Sequence, residues 1–397
     1  MVQRLKQGLA VLVWVVFIGL AYLLMEHSAF GGGDFHLYYT SVRDYLPAQL
    51  PYPSVIGTLR DSWTYPPLLG QLLIPLVMNF DLVTATRLWF AFNVGLLLLL
   101  IALFARMIPA RQRIEFWIVA AAFVPAFETL RIGQASLLIT VLVAFAWLAV
   151  KRDRPALAGG LLATAAWIKV YPALIILYFV WTRNGRVIRG VLIVGIALAG
   201  LQIAISGVDV LVEFFRSLLL VAGQGDIDLM WRNISIYGFA ANFFQDHVRS
   251  TPLLVNSAAY GLTRIGLSAL VLGSLFVLSA RSNASRTRFA PLANAGTRFD
   301  NEYALTIVTM LLLSPWVYID SVAPIFVAVF IVWQNAESRQ DHLWLAVAGL
   351  AVATGYLLVW HPADSFSAPL LALGFYALMI VWMRLIRRLL PTAPRQS

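Results

Sequence analysis

The chain has 397 residues, is 60% hydrophobic and only 12% charged, and has a mean hydropathy of +0.80. Soluble domains carry roughly 25% charged residues, so the composition excludes an ordinary soluble fold and predicts an all-α, polytopic integral membrane protein. The formal charge of +10 does not imply a nucleic-acid partner, because Lys and Arg in short loops between apolar segments report topology.

Apolar runs fall at 5–25, 66–79, 86–105, 116–130, 135–150, 156–168, 171–182, 187–206, 252–280, 303–314, 317–335, 343–360 and 367–388. Each is expected to be helical, since lipid forces backbone groups to pair within their own segment. The pattern predicts about twelve transmembrane helices in one membrane domain covering 1–397. Arg4 and Lys6 precede the first run with no prompt small-residue cleavage site, so it is expected to remain as an anchor. With no cysteine in the chain, thiols say nothing about compartment.

Three runs are too short to span comfortably: 66–79, 156–168 and 171–182. The last two meet at Lys169-Val170-Tyr171-Pro172, where proline disfavours helix continuation. They form either one kinked span or a tight hairpin with Lys169 at its tip. The positive-inside rule prefers the hairpin, with 66–79 dipping in without crossing. That arrangement puts both termini and most of the 29 basic residues in the cytoplasm. Two outer loops, 26–65 and 207–251, are then long enough to roof a site, and Val208–Leu220 has the spacing of a helix lying on the membrane surface. Residues 281–301, rich in Ser, Asn, Arg and Gly, read as a flexible cytoplasmic linker.

The first outer loop opens with Gly31-Gly32-Gly33-Asp34-Phe35-His36. Asp34 is either the N-cap of a helix over 35–45 or a general base for an attacking hydroxyl, and the two roles are compatible. With no second acidic residue beside it, the loop offers too few oxygen ligands for a metal. The same topology gathers Glu128, Arg131, Gln134, Lys169, Tyr171, Trp231, Arg232, Asn233, Tyr318, Asp320 and His361 on the outer side. Ionisable residues at membrane depth usually face a protein cavity. Lys169 reads either as a snorkelling lysine or as a fixed cation for a lipid phosphate. Arg131 suits phosphate oxygens as well, or it pairs with Glu128 three residues earlier. Asp320, beside Tyr318, is placed to orient a sugar hydroxyl or an active-site base. His361-Pro362 reads as an interfacial turn.

Several pieces in order resemble the bacterial polyprenyl-phosphate-mannose-dependent mannosyltransferases, glycosyltransferase family 87 with the GT-C fold. They are Gly33-Asp34 with Tyr38-Tyr39, Tyr65-Pro66-Pro67-Leu68, Arg131-Ile132-Gly133-Gln134, Gly159-Gly160 leading to Ile168-Lys169-Val170-Tyr171-Pro172, Asn233-Ile234-Ser235, and Ser314-Pro315. The resemblance implies a transferase in the cytoplasmic membrane whose site faces outward. It implies a polyprenyl-phosphate-linked sugar donor, commonly mannose, and no cofactor. It makes Asp34 the catalytic base and puts Lys169 and Arg131 near the donor phosphate; apart from the resemblance, Arg232 is a further candidate cation for that phosphate. His36, Gln134, Tyr171, Asn233, Tyr318 and Asp320 are left as candidates for contact with the sugar or with a glycolipid or glycan acceptor. Relatives often carry histidine near the Ser-Pro segment, where this chain reads Trp316-Val317-Tyr318-Ile319-Asp320, so the departure bears on sugar and acceptor identity. Composition alone also fits a transporter or flippase, although the halves 1–200 and 201–397 show no repeat of the kind such proteins carry. A non-catalytic lipid-binding subunit is the third alternative.

Overall fold

Because hydrocarbon offers the backbone no partner, each apolar run closes its own hydrogen-bond ladder, and the order of the resulting helices fixes where polar groups meet. The computed structural model describes residues 2–29, 33–45, 50–52, 62–223, 232–246, 250–284, 296–336, 338–360 and 366–390. Helix α1 (Val2–Ala29) starts at a basal end, where Lys6 pairs with Glu115, and finishes at a site end, where Glu26 pairs with Arg87. Helices α2 (Asp34–Tyr45) and α3 (Pro67–Asn79) stay at the site end. Tyr39 donates to Phe80 O and Arg43 to Val77 O at the far end of α3, while Tyr38 stacks edge-on against Tyr65 just before it. Helix α3, contacted by the 12-residue α2 near both of its ends, lies alongside it.

Helix α4 (Leu82–Ala105), capped by Asp81 accepting from Thr84 N, returns to the basal end. The expected run 116–130 is broken into α5 (Arg113–Ala120) and α6 (Val124–Ile132), with Pro125 opening the second piece. Both pieces climb beside α1, through Trp14 Nε1 donating to Trp117 O and Phe17 packing on Phe127. Helix α7 (Ser136–Lys151) descends to Asp300.

The next three helices, α8 (Pro155–Ile168), α9 (Ala173–Trp181) and α10 (Gly185–Ser206), settle the hairpin question through their glycines. A Cβ on Gly190 would sit 1.9 Å from Ala156 O, and one on Gly160 would meet Val194. Position 156 therefore faces 190 and 160 faces 194, so α8 and α10 run parallel. The connecting α9 must run the opposite way, which makes 156–182 a hairpin with Lys169 at its site-end tip. A Cβ on Gly159 would likewise fall 2.0 Å from Val187 O, so both helices need glycine to approach this closely.

Helices α11 (Val208–Gly223) and α12 (Ile236–Phe244) lie at the site end. In α11, Val210, Leu211 and Phe214 are buried while Val208, Val212, Phe215 and Leu219 are exposed, the two-faced pattern of a surface helix. A parallel pairing of Ser250–Thr251 with Phe366–Ser367 follows. Helix α13 (Ser257–Ala284) descends, α14 (Gly296–Leu313) ascends, α15 (Ile325–Gln334) descends, and α16 (Arg339–Trp360) ascends. The short α17 (Ala368–Leu371) turns the chain into α18 (Leu373–Leu389), which ends at the basal end with Arg384 and Arg388 on Asp341. The expected run 317–335 is not one helix. A 3₁₀ turn at Ile319–Val322 precedes α15, and Pro324 starts the new helix.

Among the described residues, five stretches are long and apolar enough to cross a membrane: Leu5–Glu26, Leu82–Ala105, Gly185–Ser206, Ser257–Ala280 and Arg339–Leu358. They carry most of the exposed aliphatic side chains, such as Ile196, Leu262 and Leu350, and form a lipid-facing perimeter. Helix α14 is buried nearly end to end, and with the shorter α7, α8 and α15 it makes the interior. The expectation of a linker over 281–301 is corrected at both flanks. Helix α13 extends to Ala284, and α14 begins at Gly296 with Phe299, Asp300, Asn301 and Glu302 already buried. The polar composition there supplies internal latches. Trp147 and Lys151 each donate to Asp300 at 2.7 Å, and Tyr178 and Arg298 donate to Glu302 at 2.9 and 3.0 Å.

The glycine register yields the first prediction. Gly190→Val, which drives a side chain into Ala156 O, is expected to lower the unfolding midpoint in detergent by the equivalent of about 1–3 kcal/mol. Gly200→Ala, with nothing within 4 Å of its added carbon, is expected to leave it unchanged. Equal midpoints for both variants would contradict the register.

Candidate active site

Helix α6 ends at Gly133, whose φ of 75° stops the helix in the left-handed region and throws Gln134 back towards the N-terminus of α2. A side chain at Gly133 would put a carbon 2.5 Å from Phe35 Cβ, and its carbonyl accepts from Trp89 Nε1 at 2.7 Å. This junction brings together residues 100 positions apart. Gln134 Nε2 donates to Asp34 Oδ2 at 2.7 Å and to the Tyr65 hydroxyl at 2.9 Å. Gln134 Oε1 accepts from the Tyr38 hydroxyl at 2.9 Å and from Ala135 N at 3.2 Å. Asp34 is the first residue of α2, with Gly33 O accepting from His36 N in front of it, so the expected N-cap position falls to Gly33 and the Asp34 carboxylate turns to Gln134 instead.

Lys169, at the tip of the α8–α9 hairpin, reaches the same amide. Its Nζ lies 3.5 Å from Gln134 Oε1 and 3.0 Å from Ser321 Oγ, with the Tyr65 and Tyr171 ring centres each 5.5 Å away. Ser321 in turn donates to Asp320 Oδ2 at 2.9 Å, and the Tyr171 hydroxyl meets Ser321 O at 3.5 Å. The 3₁₀ turn that carries Asp320 is pinned by Thr129, whose hydroxyl donates to Asp320 O at 2.9 Å. Asp34, Gln134, Lys169, Ser321 and Asp320 thus form one continuous polar chain across the site end.

The electrostatics follow from this enclosure. Burial, and next the negative charge of Asp320, push Asp34 up to about 7. Lys169, the Gln134 hydrogen bond and Arg232 pull the other way. Burial holds Lys169 below the ordinary lysine range, opposed by the charges of Asp320 and Asp34. A carboxylate poised near neutrality suits proton abstraction, and a desolvated ammonium suits a phosphate. Among the described residues no group of three His, Asp or Glu side chains converges as a metal site.

Other expected site residues lie elsewhere. Arg131 is bound to Glu128 at both nitrogens, Nε at 2.7 Å and Nη2 at 2.6 Å, and the Tyr356 hydroxyl donates to the same carboxylate at 2.8 Å. The helical i, i+3 pair is therefore the one that forms. Arg232 and Tyr318 line a small hollow together with Glu128, Asp320 and Tyr356. His36 lines a separate hollow with Phe35, Trp89 and Gly133, away from the Gln134 cluster. Asn233 braces the fold, its amide donating to Pro315 O at 2.5 Å and accepting from Ser235 N at 2.9 Å, while Ile234 N bonds Val317 O. Trp231 and His361 lie outside the described residues. Sequence reasoning gave Tyr38 and Tyr65 no role and did not single out Ser321 or Tyr356. The only signal for Ser321 was a hydroxyl adjacent to Asp320.

The family model of glycosyltransferase family 87 matches residues 63–315. The chain belongs to that family. It is a membrane glycosyltransferase. The match covers Tyr65, Gln134, Lys169 and Asn233, while Asp34 precedes it and Asp320 follows it. No curated protein and no solved structure matches the chain.

The buried Arg131–Glu128 pair carries its own prediction. Glu128→Gln leaves the guanidinium, 9% exposed, without its counter-charge and is expected to destabilise the fold by about 3–5 kcal/mol. Unfolding followed by tryptophan fluorescence in detergent checks this, and a wild-type midpoint would contradict the pairing.

Proposed function

We propose that the chain transfers a sugar, taken here as mannose, from a polyprenyl-phosphate donor to a lipid-linked or glycan acceptor. The observation that carries this reading is the single Gln134 side chain that joins a carboxylate, Asp34, to an ammonium, Lys169. The pair supplies the two things such a transfer needs: a base for the acceptor hydroxyl and a fixed positive charge for the departing phosphate.

The reaction is a single displacement with inversion. Asp34 takes the proton of the acceptor hydroxyl as that oxygen bonds the anomeric carbon. The bond from that carbon to the phosphate oxygen breaks, and its electron pair leaves with the polyprenyl phosphate. The leaving group is already anionic, so it needs electrostatic stabilisation more than an acid. Lys169 provides it, with Arg232 from the adjoining hollow. Arg131 is held by Glu128 and is given no direct part in the step. Asp320, which bonds Ser321 of the cluster and lines that hollow together with Tyr318, is assigned with Tyr318 to the sugar hydroxyls, and Tyr171 to the face of a ring.

The basal turns carry Arg106, Arg111, Arg113, Lys151, Arg152, Arg154, Arg183, Arg186 and Arg189, and the positive-inside rule then sets the basal end in the cytoplasm and the site outward. The chain has no native cysteine, so single thiols report this directly. In sealed cells a membrane-impermeant maleimide is expected to label Arg216→Cys and to spare Arg111→Cys until the membrane is opened. The reverse pattern would invert the topology.

The functional reading is tested with radiolabelled polyprenyl-phosphate-mannose and a crude glycolipid extract in proteoliposomes. Wild type is expected to move label to a new lipid or glycan, and Asp34→Asn to do so roughly 10²–10⁴-fold more slowly. The base is active as the carboxylate, so protonation below its pKa removes activity. With Asp34 near 7, turnover is expected to rise about tenfold per pH unit well below 7 and to level off above it. Near-normal transfer by Asp34→Asn, or a flat profile from pH 5 to 8, would exclude Asp34 as the base.

A further inference from the structure

Gln134 bonds Asp34 and lies beside Lys169, yet the proposed reaction gives it no chemical step. We propose that Gln134 is a positioning residue whose amide holds the Asp34 carboxylate in the orientation and charge state in which it accepts the acceptor's proton. This inference rests on the reading of Asp34 as the base.

The orientation of the amide is itself fixed. Its oxygen accepts from two donors, the Tyr38 hydroxyl and Ala135 N, so its nitrogen faces Asp34 and Tyr65. A flipped amide would set oxygen against the Asp34 carboxylate and N–H against the Ala135 N–H, two repulsive contacts in place of two bonds. Gln134 is 3% exposed, so water cannot compensate for either. With Oδ2 anchored by this N–H at 2.7 Å, Asp34 Oδ1 takes no hydrogen bond among the described residues. It is the oxygen left to receive a proton. The approach of Lys169 Nζ to Gln134 Oε1 at 3.5 Å ties the spacing of base and phosphate cation to this same side chain.

The charges around Asp34 come from several elements. Lys169 faces it from the hairpin tip, Asp320 from the 3₁₀ turn, and Arg232 from the segment before α12. The hydroxyls of Tyr38 and Tyr65 approach from α2 and the start of α3. Arg87 on α4 is engaged with Glu26, and Arg131 on α6 with Glu128. Removing the Gln134 N–H takes away a bond to the charged form and leaves burial and Asp320 less opposed, so Asp34 binds its proton more tightly.

In Gln134→Leu the rising limb of the turnover–pH profile is expected to move up by about one pH unit. At pH 7 kcat should fall ~10–100-fold with the donor KM unchanged. A merely structural role would reduce the folded fraction and leave the limb in place. Tyr38→Phe keeps the ring and removes only the hydroxyl that orients the amide, so it should move the limb in the same direction by less. It decides the matter if the leucine variant does not fold. The second readout is an infrared titration of the protonated carboxyl band, assigned to Asp34 by its loss in Asp34→Asn. Its midpoint should rise in both variants. An unmoved limb and an unmoved midpoint would overturn the inference. If wild type transfers no label from polyprenyl-phosphate-mannose, the functional reading falls, and the infrared midpoint alone decides what Gln134 does to Asp34.

Discussion

The hydrogen bond between Gln134 and Asp34 is the constraint on which the site depends. It closes a loop of 100 residues at 2.7 Å, and it can do so only because α6 stops at Gly133 in a conformation that glycine adopts freely. The same stop lets Phe35 pack against Gly133 and stack on Trp89. The apolar and polar halves of the junction therefore reinforce each other. A shift of α2 by one residue would break both.

Helix length explains why a polar site can exist inside so apolar a chain. The perimeter helices are long enough to meet lipid over their whole height, whereas α8, α9 and α15 have 14, 9 and 10 residues. At 1.5 Å per residue these are shorter than the ~30 Å hydrocarbon core. Irregular backbone follows each of them or precedes it: Lys169 in extended conformation after α8, and the 3₁₀ turn with Asp320 before α15. Such backbone is tolerated at membrane depth only where protein or a cavity satisfies it. Thr129 and Asn233 do so here by bonding Asp320 and Pro315. The interior helices stop short, and the side chains at their ends are the ones that meet.

Much of this was legible in the sequence. The apolar runs gave the helices, the charge asymmetry gave the hairpin at Lys169, and Gly31–Asp34 after the first run marked the carboxylate. Other features depended on long-range contacts that no local pattern encodes. Gln134 looked like one polar residue among many because its partners lie on α2 and before α3. Arg131 had two local readings, and the one realised is the neighbour pair that Tyr356 on α16 supports. Residues 296–301 read as part of a linker because they are polar, but Trp147 and Lys151 on the facing helix take up the polarity of Asp300. Ser321 gained meaning only once Lys169 was placed beside it.

With two carboxylates in one polar chain, Asp34 and Asp320, the site frames a sharper question than whether transfer occurs. If Asp34 is a base, the acceptor oxygen attacks the face opposite the phosphate and the anomeric configuration inverts. If a carboxylate is instead a nucleophile, two displacements restore it. The decisive measurement is the anomeric configuration of the product by NMR, starting from a polyprenyl-phosphate-mannose donor of known configuration. The account predicts a product of opposite configuration. A product with the donor's configuration would contradict it.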